Sequence, residues 1–433
     1  MAGRFLIAAF GDPGHAFPAI ALGRGLVERG HEVLVETYSR WGEYVEAEGM
    51  QFAAAPDYRV GPRLADLKPY QAAVRASQQT RLVVRDFDPD LVVVDILTVA
   101  GSLAAELEDR PWASLIPHLF PVGTPGAQLY STGARPPRTA VGRAFWSGFD
   151  PLVRRGLEQG RYQLNGARER VGLAPITHLH GGLSRWLSLV ATFPELEAWR
   201  PLEPWARVTG PLIWERPAEE DARSAPPGDE PLVMVAPSTS QDPEHRLLRA
   251  SLAGLADEPV RVLAATNGRP LPAGVRVPAN ARIVEWPSYR RTMPECAAVI
   301  CHGGHGTLAQ ALSAGVPVVC SPAGGDMAEN AARAAWAGVG VSLPRRLSTP
   351  SGLRLALRRL LADRRYSTRA RAVARGTSES PDAADAVESA AALLSARVSL
   401  ASPVRSAETR RSGNPDTTWS SSIDRTRSCS GRR

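Results

Sequence analysis

Two histidine-bearing turns hold the residue types from which chemistry could be built. The first is Gly14-His15-Ala16-Phe17-Pro18, behind the apolar run Arg4–Phe10. An imidazole with an ordinary pKa of about 6.5 takes a proton from a hydroxyl near neutrality, so His15 at a strand's carboxyl edge suits a general base. A loop histidine serves as readily as a surface or capping residue, and residue type alone does not choose between the two. Asp95 closes another apolar run, Leu91–Val94. A carboxylate there can accept from the His15 imidazole, fix its tautomer and stabilise the imidazolium, or it can cap a helix over Gly101–Glu108. The second turn is His302-Gly303-Gly304-His305-Gly306-Thr307. It lies between an apolar run of strand length, Ala297–Cys301, and a helix over Leu308–Ala314 that Gly315 ends. Bare backbone amides and the positive end of a helix dipole suit an anion. A further strand, Val316–Pro322, leads into Gly324, Gly325 and Asp326. Two such turns side by side at the carboxyl edge of a parallel sheet are where open α/β sheets bind ligands.

The elements that must position these residues alternate strand and helix. Pro18 fits the first turn of a helix over Ala19–Arg29, Gly30 ends it, and His31–Thr37 is the next strand. Ala113–Pro117 is another strand, with His118 following at the same edge. The segment 119–150 is rich in Gly and Pro with Phe120, Tyr130, Phe145 and Trp146 interleaved, the composition of a binding loop. After the strand Leu189–Phe193, Glu215–Pro231 has linker composition. Leu232–Ala236 then opens a second α/β unit and ends in Pro237-Ser238-Thr239-Ser240, whose hydroxyls could cap a helix over Pro243–Leu255. Val260–Ala264 and Arg282–Glu285 continue that sheet toward Trp286. Closing helices are expected over Leu353–Asp363, Ala370–Arg375 and Asp382–Arg397.

Composition narrows the function. The 433 residues suggest two or three domains. No apolar run reaches 18 residues, and Arg4 with Gly11-Asp12-Pro13 argues against a signal peptide, so no stable membrane insertion is expected. Cys296, Cys301, Cys320 and Cys429 show neither metal spacing nor a disulfide framework, which suits a reducing cytoplasm. The formal charge is +7, but residues 399–433 hold seven arginines against three acids, so the charge is concentrated in the tail and does not argue for nucleic acid. Lys68 is the only lysine, which leaves little room for Schiff-base or P-loop chemistry. Gly11 and Gly14 do not make a dinucleotide fingerprint, so Glu36 is a poor ribose ligand. Asp86-Phe87-Asp88 spells a metal-binding D-x-D, but Pro89 and the strand after it make it a polar helix-to-strand connection. His178 and His180 have no partners for a metal site and read as structural.

Trp286, His302-Gly303-Gly304, Gly306-Thr307, Gly315-Val316-Pro317 and Asp326 with Asn330, at this spacing, resemble the nucleotide-sugar signature of family 1 glycosyltransferases. They are most similar to actinobacterial enzymes that decorate macrolides and other natural products. The resemblance covers residues 3 to about 398. It implies the GT-B fold, α/β with two doubly wound Rossmann-like domains facing across a cleft. The boundaries expected are 1–214 for an acceptor-binding domain, 215–231 for the linker and 232–380 for the nucleotide-sugar domain. A helix at 381–398 would return to the N-terminal domain, and a basic disordered tail would fill 399–433.

The resemblance also implies roles. His15 in G-H-x-x-P would be the base that activates the acceptor and Asp95 the group that holds it. Trp286 would stack on the nucleobase, while Tyr289, Met327 and Asn330 line the donor site. His302, the Gly303, Gly304 and Gly306 backbone, Thr307 and Thr239 would meet the diphosphate, and Asp326 the sugar hydroxyls. His118, Phe120, Tyr130 and Trp146 would line the acceptor pocket. The reaction implied is inverting and metal-independent. It moves a sugar from a dTDP- or UDP-linked donor to a hydroxyl of a small molecule, in antibiotic or secondary-metabolite biosynthesis. The nucleotide sugar is a co-substrate, no cofactor is implied, and the chain would act as a monomer or homodimer. This sequence departs from the family pattern at Met327, where a Gln follows the Asp, and at Tyr289, where another Gln is frequent. Losing those amides tilts the expected donor toward a deoxysugar. Two rivals share parts of this pattern: a GT-B nucleotide-sugar epimerase, and a catalytically idle partner that activates another transferase.

Overall fold

In this computed structural model the described residues are 2–401, except 59, 61–66, 181, 219–220, 239–241, 243, 272 and 378–381. Thr239 and most of the tail expected to be disordered therefore lie outside the described residues. The first half runs β1 (Arg4–Ala8), α1 (Pro13–Val27), β2 (Glu32–Thr37), α2 (Gly42–Ala47), β3 (Gln51–Ala54), α3 (Pro69–Phe87), β4 (Leu91–Asp95), α4 (Val99–Leu107) and β5 (Trp112–Ile116). It continues through α5 (Ala140–Ser147), α6 (Asp150–Arg170), β6 (Ser188–Val190), α7 (Pro194–Glu197) and β7 (Ala206–Val208). The second half runs β8 (Leu232–Ala236), α8 (Arg246–Leu255), β9 (Arg261–Ala265), β10 (Ala281–Val284), α9 (Tyr289–Thr292), β11 (Cys296–Cys301), α10 (His305–Ser313), β12 (Val318–Cys320), α11 (Met327–Ala337) and β13 (Gly340–Ser342). Helices α12 (Pro350–Ala362), α13 (Arg364–Thr377) and α14 (Ala383–Ala401) follow.

Short apolar runs such as Leu232–Ala236 are buried along their whole length, as strands covered on both faces must be. They assemble into two all-parallel sheets, ordered β3-β2-β1-β4-β5-β6-β7 and β10-β9-β8-β11-β12-β13. Strand order reverses between β1 and β4 in the first sheet and between β8 and β11 in the second, which opens a crevice at each carboxyl edge. His15 and Asp95 flank the first switch point. Pro237 and His302 flank the second.

One boundary differs in a way that matters. The helix after β1 starts at Pro13, the favoured first position, and Pro18 lies inside it. His15 therefore sits in the first turn of α1, with its N–H bonded to Asp12 O at 2.9 Å. Strand β12 is also shorter than its apolar run, because Pro317 and Pro322 flank it and offer no N–H to the ladder.

The last helix returns to the first domain. Ala383, Ala384, Val387 and Ala391 join the core around β1 and α1. Arg29 ties the helix start through Asp382 at 2.6 Å and Asp385 at 3.0 Å. Leu119, Phe193 and Leu196 pack in turn with residues of β8, β11 and β12, so apolar contact joins the halves from both directions. Among the described residues no helix is long and apolar enough to cross a membrane.

Candidate active site

A cavity of about 530 Å³ lies where the two switch points face each other. His15, Phe17, Arg40, Trp41 and His118 line it from the first half. Trp286, Tyr289, His302, Gly304, Gly306, Thr307, Asp326 and Met327 line it from the second. A larger cavity of about 930 Å³ between α3 and α6 contains none of the chemistry-bearing residues named above.

His15 Nδ1 lies 2.8 Å from Asp95 Oδ2, and Asp95 is buried behind it. Asp95 Oδ1 accepts the Leu97 N–H at 3.0 Å, so the carboxylate is oriented by its own turn, and Thr98, without a side-chain cap bond, takes the N-cap position of α4. With Nδ1 engaged, Nε2 is the nitrogen left for a substrate hydroxyl. Burial by itself would lower the His15 pKa. The charge and hydrogen bond of Asp95, with Asp326 and Asp12 farther off, outweigh it and raise the value above the ordinary one. His118 stacks edge-on to His15 with centroids 6.1 Å apart. Its Nδ1–H donates to Leu119 O at 2.8 Å, and burial holds the ring neutral by lowering its pKa.

On the facing side, Gly303 adopts φ +79°, and a Cβ there would stand 2.9 Å from Met327 O. Only glycine fits this turn without strain. Gly304 caps α10 in an extended conformation, so the free amides of the first turn, including Gly306 and Thr307, start at the cavity. His302 is deeply buried; its Nδ1–H donates to Ala236 O at 3.2 Å, and burial lowers its pKa. His305 bonds Thr192 Oγ1 at 2.9 Å across the domain boundary, and burial pushes it down to about 3. Asn330 is fully buried and donates to Gly303 O at 2.9 Å and Asp326 Oδ2 at 3.2 Å. It therefore braces the two turns together and sets the Asp326 carboxylate from behind the cavity wall.

The Trp286 end of the cavity contains two residues whose composition reads as linker. The Arg216 guanidinium lies 4.2 Å from the centre of the Trp286 ring. Glu215 accepts from Ser288 Oγ at 2.6 Å and the Tyr289 N–H at 3.0 Å, capping α9. The Tyr289 hydroxyl is 3.4 Å from Asn267 Oδ1, and burial raises its pKa. Glu215, Arg216 and Asn267 carry no sequence signal beyond ordinary polar residues in turns; their contacts lie 22 to 74 residues away.

The remaining residues fall outside the cavity lining. Phe120 is 1% exposed and belongs to the core with Ile116, Val122 and Leu183. Tyr130 donates to Leu119 O at 3.4 Å, and its phenol is pushed up first by burial and then by the charge of Asp326. Trp146 clusters with Phe145 and Phe149 on α5 and the start of α6. Asp86 and Asp88 pair with Arg85 and Arg110 on an exposed helix end, away from the cleft. Glu36 is buried in β2 under the Thr80 hydroxyl at 2.9 Å, and burial pushes its carboxyl up to about 7.

Comparison with known proteins agrees with this fold. Residues 248–393 match the model of the erythromycin biosynthesis protein CIII-like C-terminal domain. The chain is 28% identical over 403 residues to 4'-demethylrebeccamycin synthase of Lentzea aerocolonigenes, covering 86% of this chain and 94% of that protein. It is 28% identical over 355 residues to O-mycaminosyltylonolide 6-deoxyallosyltransferase of Streptomyces fradiae, covering 74% and 80% respectively. The glycosyltransferase VinC, solved in complex with dTDP, superposes with a TM-score of 0.66 at 22% identity over 91% of this chain and 100% of its own. In class, the chain is a glycosyltransferase of GT-B fold. Within that class, residues 248–393 are similar to the erythromycin biosynthesis protein CIII-like C-terminal domain.

Proposed function

We propose that the protein is an inverting, metal-independent transferase that moves a deoxysugar from a dTDP- or UDP-linked donor to a hydroxyl of a small natural-product acceptor. The observation that carries this reading is the His15–Asp95 pair, which opens onto the same cavity as the glycine turn at α10. The acceptor O–H gives its proton to His15 Nε2 as its oxygen bonds to the anomeric carbon. The bond from that carbon to the diphosphate oxygen breaks with its electron pair, and the charge leaves on the nucleoside diphosphate. Asp95 stabilises the imidazolium that results. The α10 amides, Thr307 and the helix dipole face the departing charge, and most of the acceleration comes from positioning and electrostatics. A neutral His302 whose Nδ1–H is already used must gain a proton at Nε2 before it donates to the diphosphate. Metal independence is supported by the place of Asp86 and Asp88, which are tied to arginines at the surface. The base pair favours transfer over epimerisation and over an idle partner role.

The deoxysugar rests on Met327, which lines the cavity as the first residue of α11 beside Asp326. A thioether offers no donor, so a sugar hydroxyl held against it loses its water without replacement, at about 1–3 kcal/mol. A deoxygenated carbon gains apolar contact instead. Wild type should prefer a dTDP-deoxysugar over dTDP-glucose by about tenfold in kcat/KM, and Met327→Gln should shift the ratio back. Matched donors with one nucleotide, in both proteins, make the measurement. A preference for the glucose donor, or a ratio untouched by the mutation, overturns the assignment.

A further inference from the structure

A second polar cluster joins the two halves, and the reaction as written makes no use of it. Arg333, on α11, is 1% exposed and bonds Glu329 at 2.7 Å and Glu197 at 3.0 Å. Glu197 stands at the end of α7 in the first half; its Oε1 accepts the Phe120 N–H at 2.8 Å. Arg200 beside it donates to Phe120 O at 2.6 Å and also to Val122 O. Gln128, farther along the same loop, donates to Glu329 Oε1 at 2.9 Å. The segment between β5 and α5 is therefore bonded directly to Glu329 on α11 through Gln128, and reaches Arg333 of the same helix indirectly, from Phe120 through Glu197. That helix starts at the proposed sugar side of the cavity, where Asp326 immediately precedes it and Met327 and Asn330 stand in its first turn.

Stability does not account for this arrangement. Buried ion pairs frequently lose more on desolvation than they regain, and apolar replacements are often neutral or better. Here Glu329 is fully buried, and its Oε2 has no hydrogen-bond partner among the described residues. What such a cluster supplies is geometry, because its hydrogen bonds are satisfied only in one register of the loop against α11.

We propose that Gln128 and Glu329 are positioning residues that lock the loop 117–139 to α11, so that a sugar donor seated at Asp326 and the acceptor-side loop order one another. The proposal rests on the donor reading of Asp326 given under the proposed function. Coupling of this kind is reciprocal: whatever donor binding does to the loop, ordering the loop does to the donor.

The test is hydrogen exchange of the full chain with and without dTDP-glucose, read on peptides covering 117–139, with calorimetric affinity measured in parallel. In wild type the nucleotide sugar should slow exchange in this loop by about fivefold or more. Gln128→Met keeps the volume and removes the donor to Glu329. It should lose most of the loop protection and, by the same reciprocity, bind dTDP-glucose up to about fivefold more weakly, although Gln128 does not line the cavity. A merely structural role would lower the melting temperature and leave the ligand-dependent protection intact. Binding without any response of the wild-type loop overturns the proposal alone, and so does full protection in Gln128→Met. Absence of binding of dTDP-glucose, dTDP and UDP in wild type overturns the donor reading itself, and this inference with it. The wild-type comparison decides the matter even if the variant fails to fold.

Discussion

The two halves share one topology and hold opposite chemistry at matching places. Each is a doubly wound parallel sheet whose functional loops leave the strands that flank its switch point. His302 and His305 at the second edge are buried and His15 at the first is half-buried, and the loss of water pushes each imidazole toward its neutral form. His15 alone has a carboxylate within hydrogen-bond distance, and its pKa rises. His302 bonds a backbone carbonyl and His305 a threonine hydroxyl, and theirs fall. The fold selects where a histidine can meet substrate. The atom behind the ring selects whether it takes a proton or stays neutral.

The largest effect that tests this contrast is His15→Ala. Turnover should fall about 10²-fold or more, while dTDP affinity by calorimetry stays near wild type. An equal loss in both would mean that the two edges are not separable as base and donor site.

Asp95→Asn should lower turnover by about tenfold and reshape the pH profile. His15 works as the unprotonated base, so wild-type kcat/KM falls as pH drops through its raised pKa. Without the Asp95 charge burial dominates, and that acidic limb should move to lower pH. The same pair stabilises the fold at pH values below the unfolded imidazole pKa. That contribution fades as pH rises through the raised value, and Asp95→Asn should lack it in melting curves. An acidic limb that stays in place would show that Asp95 does not tune His15.

Gly303→Ala tests the other edge with a smaller change. Its positive φ and the close Met327 carbonyl leave no room for a Cβ, so dTDP should bind about fivefold more weakly. The acidic limb of the pH profile should not move. A shift in that limb would tie the edges together more closely than the contrast allows.

Much of this arrangement was legible in the chain. Apolar runs of four to seven residues between turn signals marked β1, β4, β8 and β11. The glycines after Cys301 marked the turn that opens α10. The start of α1 was misplaced because Pro13 and Pro18 both satisfy a first-turn rule, and only the backbone chooses between them. Phe120 has the composition of a binding-loop aromatic, yet the core between β5 and β6 takes it, since a ring gains most where it loses most water. Asn330 has the side chain of a sugar ligand, yet it spans two backbone turns.

The sequence by itself determined the strands, the turns and the types of residue at each sheet edge, because these depend on neighbours within a few positions. Only the tertiary structure decided which groups face one another. His15 meets Asp95 across 80 residues, Gln128 meets Glu329 across 201, and Glu215 caps the helix after Trp286 across 74. Charge, protonation and hydrogen bonding depend on distances of about 3 Å, and separation along a chain says nothing about those until two packed sheets bring the partners together.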